Sequence, residues 1–88
     1  LVYIEVVMMD RIIAKNEKFE LTEIRVRAQN SGKLRRVWRI RKCGWTTGAD
    51  IQRMNEIVSR PGVRTGYAMR FRSRQRAEQA FVMLTLAW

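Results

Sequence analysis

Apolar and polar positions alternate with a period near two over much of this chain, and with a period near 3.6 in two shorter stretches. Leu1 to Met9 (LVYIEVVMM) is rich in β-branched residues and apolar on both sides apart from Glu5. That pattern predicts a central, largely buried strand. Arg11 to Ala14 either continues this strand or pairs back as a short second one, and Lys15-Asn16-Glu17-Lys18 makes a turn. Ile24, Val26 and Ala28 then alternate with Arg25, Arg27 and Gln29. After a turn at Asn30-Ser31-Gly32-Lys33, Trp38 and Ile40 alternate with Val37, Arg39 and Arg41. Two alternating runs around a Gly-containing turn predict a β-hairpin.

The register of that hairpin decides which side chains share a face. A two-residue loop sets Ile24 against Arg39 and mixes the faces. A three-residue loop sets Ile24 against Ile40 and Val26 against Trp38. The expectation is therefore the second register, with Ile24, Val26, Trp38 and Ile40 buried together. Arg25, Arg27, Arg35, Arg39 and Arg41 would then share the outer face with Val37.

The longer period appears next. Thr47, with Asp50 three residues on, resembles a capping box, and Ile51, Met54 and Val58 recur on one helical stripe, helped by Ile57, as far as Pro61-Gly62. Tyr67, Met69 and Phe71 alternate with Ala68, Arg70 and Arg72, a further strand. Ser73 can cap a last helix whose inward face is Ala77, Ala80, Phe81, Leu84 and Trp88; beyond Phe81 that helix is apolar nearly all round. The order is β(β)ββ-α-β-α. It predicts a single α+β domain over residues 1–88, a mostly antiparallel sheet with two helices packed on one face and arginines on the other.

Charge changes the picture from fold to partner. Eighteen bases stand against eight acids, net +10, and fourteen of the bases are arginine. The charge is segregated: residues 1–23 hold five acids and three bases, net −2, and residues 24–88 hold fifteen bases and three acids, net +12. Arginine's planar fork matches phosphate and carboxylate and stacks on aromatic faces, so the excess points to an acidic partner.

Other chemistry is thinly represented. With no histidine, the usual general base is missing. The eight acids form no nuclease or glycosidase constellation, and no P-loop or dinucleotide fingerprint occurs, so neither catalysis nor a cofactor is expected. Glu20 and Glu23 are expected to partner neighbouring arginines. One Cys and no His cannot supply a zinc site, so no metal is expected. Cys43 reads as a small, buried or half-buried apolar residue. A lone cysteine suits a reducing, cytoplasmic setting. No apolar run approaches the roughly 18 residues of a membrane span. Leu1 is not an initiator methionine, which leaves any upstream targeting segment open.

Among the aromatic residues, Trp38, Phe71 and Phe81 fall on expected inner faces and read as core. Trp45, in a Gly-flanked loop near Lys42, is the candidate for exposed base stacking. Gly66-Tyr67-Ala68-Met69-Arg70-Phe71, followed by Ala77-Glu78-Gln79-Ala80, resembles the third strand and second helix of an RNA-recognition motif, whose strand carries base-stacking aromatics. The resemblance is confined to this strand–helix unit. Thr65 stands where that family has a basic residue, and Met69 and Arg72 where it has aromatics. A closing strand would have to come from Leu1 to Met9.

The expected function is non-catalytic binding of nucleic acid, RNA or DNA, through its phosphates. The expected contacts are Arg25, Arg27, Arg35, Arg39, Arg41, Lys42 and Trp45 on and beside the sheet. A second set lies at the last helix start, where Arg70, Arg72, Ser73, Arg74 and Arg76 gather at the positive end of the helix dipole. The alternative is a protein-binding module docking on an acidic surface, such as a phage-type antagonist occupying the nucleic-acid channel of a host enzyme. The apolar stretch Val82 to Trp88 would suit a protein contact.

Overall fold

The computed structural model describes residues 5–28, 32–58 and 69–88, with side chains described from Asp10 onward in the first strand and through Arg27 in the second. The elements run β1 (Glu5–Lys15), β2 (Phe19–Ala28), β3 (Leu34–Lys42), α1 (Gly48–Val58), β4 (Met69–Phe71) and α2 (Arg74–Ala87). The strands form one sheet in the order β1-β2-β3-β4, each antiparallel to its neighbour. The α+β class follows from this arrangement.

β1 differs from its sequence expectation. It is one strand running through to Lys15, and it lies at the sheet edge instead of the centre. A tight turn returns the chain directly onto β2, and β3 takes the other side of β2, so β1 is left outermost. Asn16 builds the turn: its Oδ1 accepts from the backbone N–H of Lys18 (2.9 Å) and of Phe19 (2.8 Å). The register of β1 on β2 shifts between Val7 and Met9 and again between Ile12 and Ala14. Such a bulge re-aims the side chains that follow it. Ile12 therefore pairs with Thr22 and stays exposed, while Ala14 pairs with Leu21 and joins Ile13 against the core.

The β2–β3 hairpin also departs from expectation, and the departure exchanges faces. Ile24 lies opposite Val37 and Val26 opposite Arg35, in place of Ile40 and Trp38. The offset from the expected register is three residues, an odd number, so every pairing of faces reverses. The cause is the start of β2. The strand begins at Phe19, and Phe19 and Leu21 are fully buried. The observed register sets Leu21 beside Ile40 and Ile40 beside Met69, with Trp38 beside Phe71. Apolar positions in β2 change parity at Thr22-Glu23: Phe19 and Leu21 face the helices, Ile24 and Val26 the other side. Two buried clusters result, one among Phe19, Leu21, Ile40, Met69, Phe71 and the helices, the other of Ile24, Val26 and Val37.

The helices follow their caps. Thr47 and Asp50 form the reciprocal capping box, with Asp50 N–H donating to Thr47 Oγ1 (3.1 Å) and Thr47 N–H to Asp50 Oδ2 (3.0 Å). Met54 and Val58 are buried; Pro61-Gly62 lie outside the described residues. Ser73 caps α2, its Oγ accepting from Arg76 N–H at 3.4 Å. Ala77, Ala80 and Leu84 are buried, and Phe81 and Trp88 pack against the same core. Phe19 and Trp88 meet edge to face, ring centroids 5.2 Å apart, and Asn16 Nδ2 donates to Thr85 Oγ1 at 2.9 Å. These contacts tie the end of α2 to the β1–β2 turn. β1 pairs with β2 and β4 with β3, so β1 does not close onto β4. Phe71 is buried. Among the described residues the likeness to an RNA-recognition motif therefore does not extend to the sheet arrangement, and Phe71 is packed in the core; Tyr67 lies outside the described residues.

Candidate nucleic-acid interface

The pairing divides the arginines of the hairpin into two groups. Cross-strand partners share a face. Arg35, Arg39 and Arg41 therefore stand with Val37, Ile24, Thr22 and Glu20 on the face away from the helices, where Arg70 joins them opposite Arg39. Arg25 and Arg27 do not. They lie on the helix side, near the hairpin end, with Arg36 and the exposed Leu34. The expected five-arginine platform is thus corrected to Arg35, Arg39, Arg41 and Arg70. Lys15 adds to it through its pairing with Glu20. The sequence signal for Lys15 lay in the continuation of β1, which places it one residue from the turn.

This face has a closed end and an open end. Ile24, Val26 and Val37 are buried at one end, whereas Ile12, Lys15 and Arg41 are exposed at the other, with Arg39 and Arg70 half-buried between them. Among the described side chains its bases are Lys15, Arg35, Arg39, Arg41 and Arg70, and its acids Asp10 and Glu20. Glu20 Oε1 accepts from Arg41 Nη2 (3.1 Å) and from Thr22 Oγ1 (3.0 Å), and the Arg41 bond holds its carboxyl below the ordinary range. Arg39 experiences the opposite environment. Loss of water around it, then the like charges of Arg41 and Arg70, push its guanidinium below the usual arginine value. Arg39 Nε is buried and has no hydrogen-bond partner among the described residues. An anion laid across Arg39, Arg41 and Arg70 would reverse the sign of that local repulsion.

The other expected contacts are distributed differently. Lys42 Nζ donates to the Trp45 carbonyl (3.0 Å) and lies 3.6 Å from Asp50, so this lysine braces the β3–α1 loop. The same loop is held by Cys43 N–H donating to the Lys18 carbonyl (2.8 Å) and by Gly44 at φ 77°, a left-handed conformation natural to glycine. Cys43 itself is half-buried. Trp45, 85% exposed, projects from this braced loop. At the start of α2, Arg74 Nε is bonded to Glu78 Oε1 at 2.7 Å, which raises its pKa, while Arg72 and Arg76 are exposed. Arg70 belongs to the sheet face instead of this group. The acids behave as expected, Glu23 pairing with Arg11 (2.9 Å) and Arg36 (4.0 Å).

Among the described residues no three His, Cys, Asp or Glu side chains gather as a metal site, and no helix is long and apolar enough to cross a membrane. No family model matches the chain, and no curated protein or solved structure shows significant similarity to it.

Proposed function

We propose that this protein binds nucleic acid through its phosphates, using the open basic end of the sheet. The observation that carries the reading is Arg39 held between Arg41 and Arg70 on the face that bears neither helix. Folding brings three like charges together there, and a run of phosphates is a ligand that matches such spacing and sign. Arginine on the face of a rigid sheet loses less freedom on binding than arginine on a loop, and its fork can take two phosphate oxygens at once. Trp45 offers an exposed ring at the sheet end for a base to stack on, which suits single strands. Contacts of this kind are directed at the backbone and read sequence weakly.

Fluorescence anisotropy with labelled RNA, single-stranded DNA and duplex DNA, each over a series of salt concentrations, tests the reading. Binding should weaken linearly in log–log form, with a slope of about 0.7 to 0.9 per phosphate contact. Arg39→Glu with Arg41→Glu should flatten that slope by roughly two contacts while the circular dichroism spectrum is retained. Absence of binding to all three at low salt, with a polyglutamate competitor bound instead, would assign the surface to an acidic protein.

A further inference from the structure

The register of β2 on β3 leaves a second group of arginines on the helix side of the sheet, towards the hairpin end. Among the described residues, two like-charged pairs stand directly opposite one another across neighbouring strands. Arg39 faces Arg70 on the open side, and Arg25 faces Arg36 on the helix side. A pair of that kind destabilises a sheet. Arg27 follows two residues after Arg25, opposite the exposed Leu34, and Arg11 joins from β1 through its pairing with Glu23.

Glu23 lies beneath this group. Its side chain is 12% exposed, and its oxygens take Arg11 at 2.9 Å and Arg36 at 4.0 Å. Arg74, at the start of α2, is held above the ordinary arginine value by Glu78 first and by the charge of Glu23 last, so the helix start borders the same corner. Arg11, Arg25, Arg27, Arg36 and Arg74 thus share two carboxylates, Glu23 and Glu78, among the described residues. Arg25 and Arg27 are exposed, and their side chains make no ion pair or hydrogen bond among those residues. Four of the five arginines stand on strands, where the backbone ladder keeps their charges together. A row of like charges along a strand suits a row of phosphates, which reverses the sign of the local repulsion.

We propose that this corner is a second phosphate-binding surface, so that the protein bridges two segments of nucleic acid, one on each side of its sheet. The proposal rests on the reading that Arg39, Arg41 and Arg70 hold the first segment. Neighbouring residues of a strand point to opposite faces. The two arginine groups are therefore directed away from each other, and one short segment cannot lie on both.

Energy transfer between two short oligothymidylates, one carrying a donor and one an acceptor, tests the proposal at low salt. Transfer should appear when protein is scarcer than oligonucleotide and decline when protein is in excess, because each oligonucleotide then finds its own protein. Arg25→Glu with Arg27→Glu should lose the transfer while still raising the anisotropy of a single labelled oligonucleotide. Its Tm should not fall, since Glu at position 25 faces Arg36 as an opposite charge. Arg25→Gln with Arg27→Gln should weaken transfer too, which guards against new contacts made by the glutamates. Arg39→Glu with Arg41→Glu should also lose transfer yet leave the helix-side surface binding one oligonucleotide, so the two readings fail separately. Binding without transfer in the wild type, or transfer undiminished in both helix-side variants, would overturn the proposal. So would labelled polyglutamate that binds the wild type and not Arg25→Glu with Arg27→Glu while oligonucleotides show no transfer, an outcome that assigns this corner to an acidic protein.

Discussion

Replacing Arg39 by methionine should change stability and binding in opposite directions. Methionine keeps an unbranched stem in the strand and removes the guanidinium. Arg39 pairs directly with Arg70 and shares its face with Arg41 two residues along β3. Like charges directly opposite in an antiparallel pair cost about 0.2–1 kcal/mol. Two residues along a strand is about 7 Å, where two unit charges repel by about 0.6 kcal/mol in water. Both figures shrink under screening at a half-exposed site, leaving about 0.5–1 kcal/mol in total. The guanidinium's depressed pKa has the same sign, set first by loss of water and then by Arg41 and Arg70 against the opposing pull of Asp10 and Glu20: folding disfavours its charged form. At neutral pH it is charged in both folded and unfolded chains, so the cost is present in full and Arg39→Met removes it. The variant should gain about 0.5–1 kcal/mol, seen as a rise in Tm of about 2–8 °C for a domain of this size. Its affinity for nucleic acid should fall and its salt slope decrease by about one contact. Thermal denaturation and anisotropy on the same preparation provide the two readings. A destabilised variant would refute the repulsion argument, and a stabilised variant with unchanged salt slope would remove Arg39 from the interface.

Other expectations follow from the same geometry. Trp45→Ala should leave urea stability within about 0.5 kcal/mol and reduce affinity for single strands by about 1–3 kcal/mol, with little effect on duplex; an equal loss on both would argue against stacking. Leu84→Ala, at a fully buried position, should cost about 2–5 kcal/mol by urea denaturation; a cost under 1 kcal/mol would mean that α2 is not anchored as described. Acid should destabilise the protein through Asp50 and Glu20, whose carboxyls are held below their ordinary values, Asp50 chiefly by the Thr47 backbone N–H and Glu20 chiefly by Arg41. Their contribution is present above the ordinary carboxylate range and is lost as pH falls through the folded values. The urea midpoint should decline with acid, and less so in Asp50→Asn, whereas parallel profiles would contradict the role given to the capping box.

Local features of this protein were legible in its sequence because the interactions behind them are local. The Thr47–Asp50 box closes within four residues, and Ser73 caps α2 from the adjacent position. Met54 and Val58, then Ala77, Ala80 and Leu84, recur at the helical period and are buried. The pairing of Glu20 and Glu23 with arginines required only that opposite charges be near.

What lay beyond the sequence was the offset between strands. β2 has no single buried face: Phe19 and Leu21 point to the helices, Ile24 and Val26 away from them, and the change of parity at Thr22-Glu23 leaves alternation alone ambiguous. The two residues that set the register, Phe19 and Leu21, lie before the Ile24–Val26 alternation and outside its parity. Once Leu21 is packed beside Ile40, and Ile40 beside Met69, every other pairing follows. The sequence by itself determined the elements, the class and the excess of arginine. Only tertiary packing decided that Arg70, and not Arg25 or Arg27, stands with Arg39 and Arg41. Strand register is a contact between distant parts of the chain, and a shift by an odd number of residues turns each charge to the opposite side.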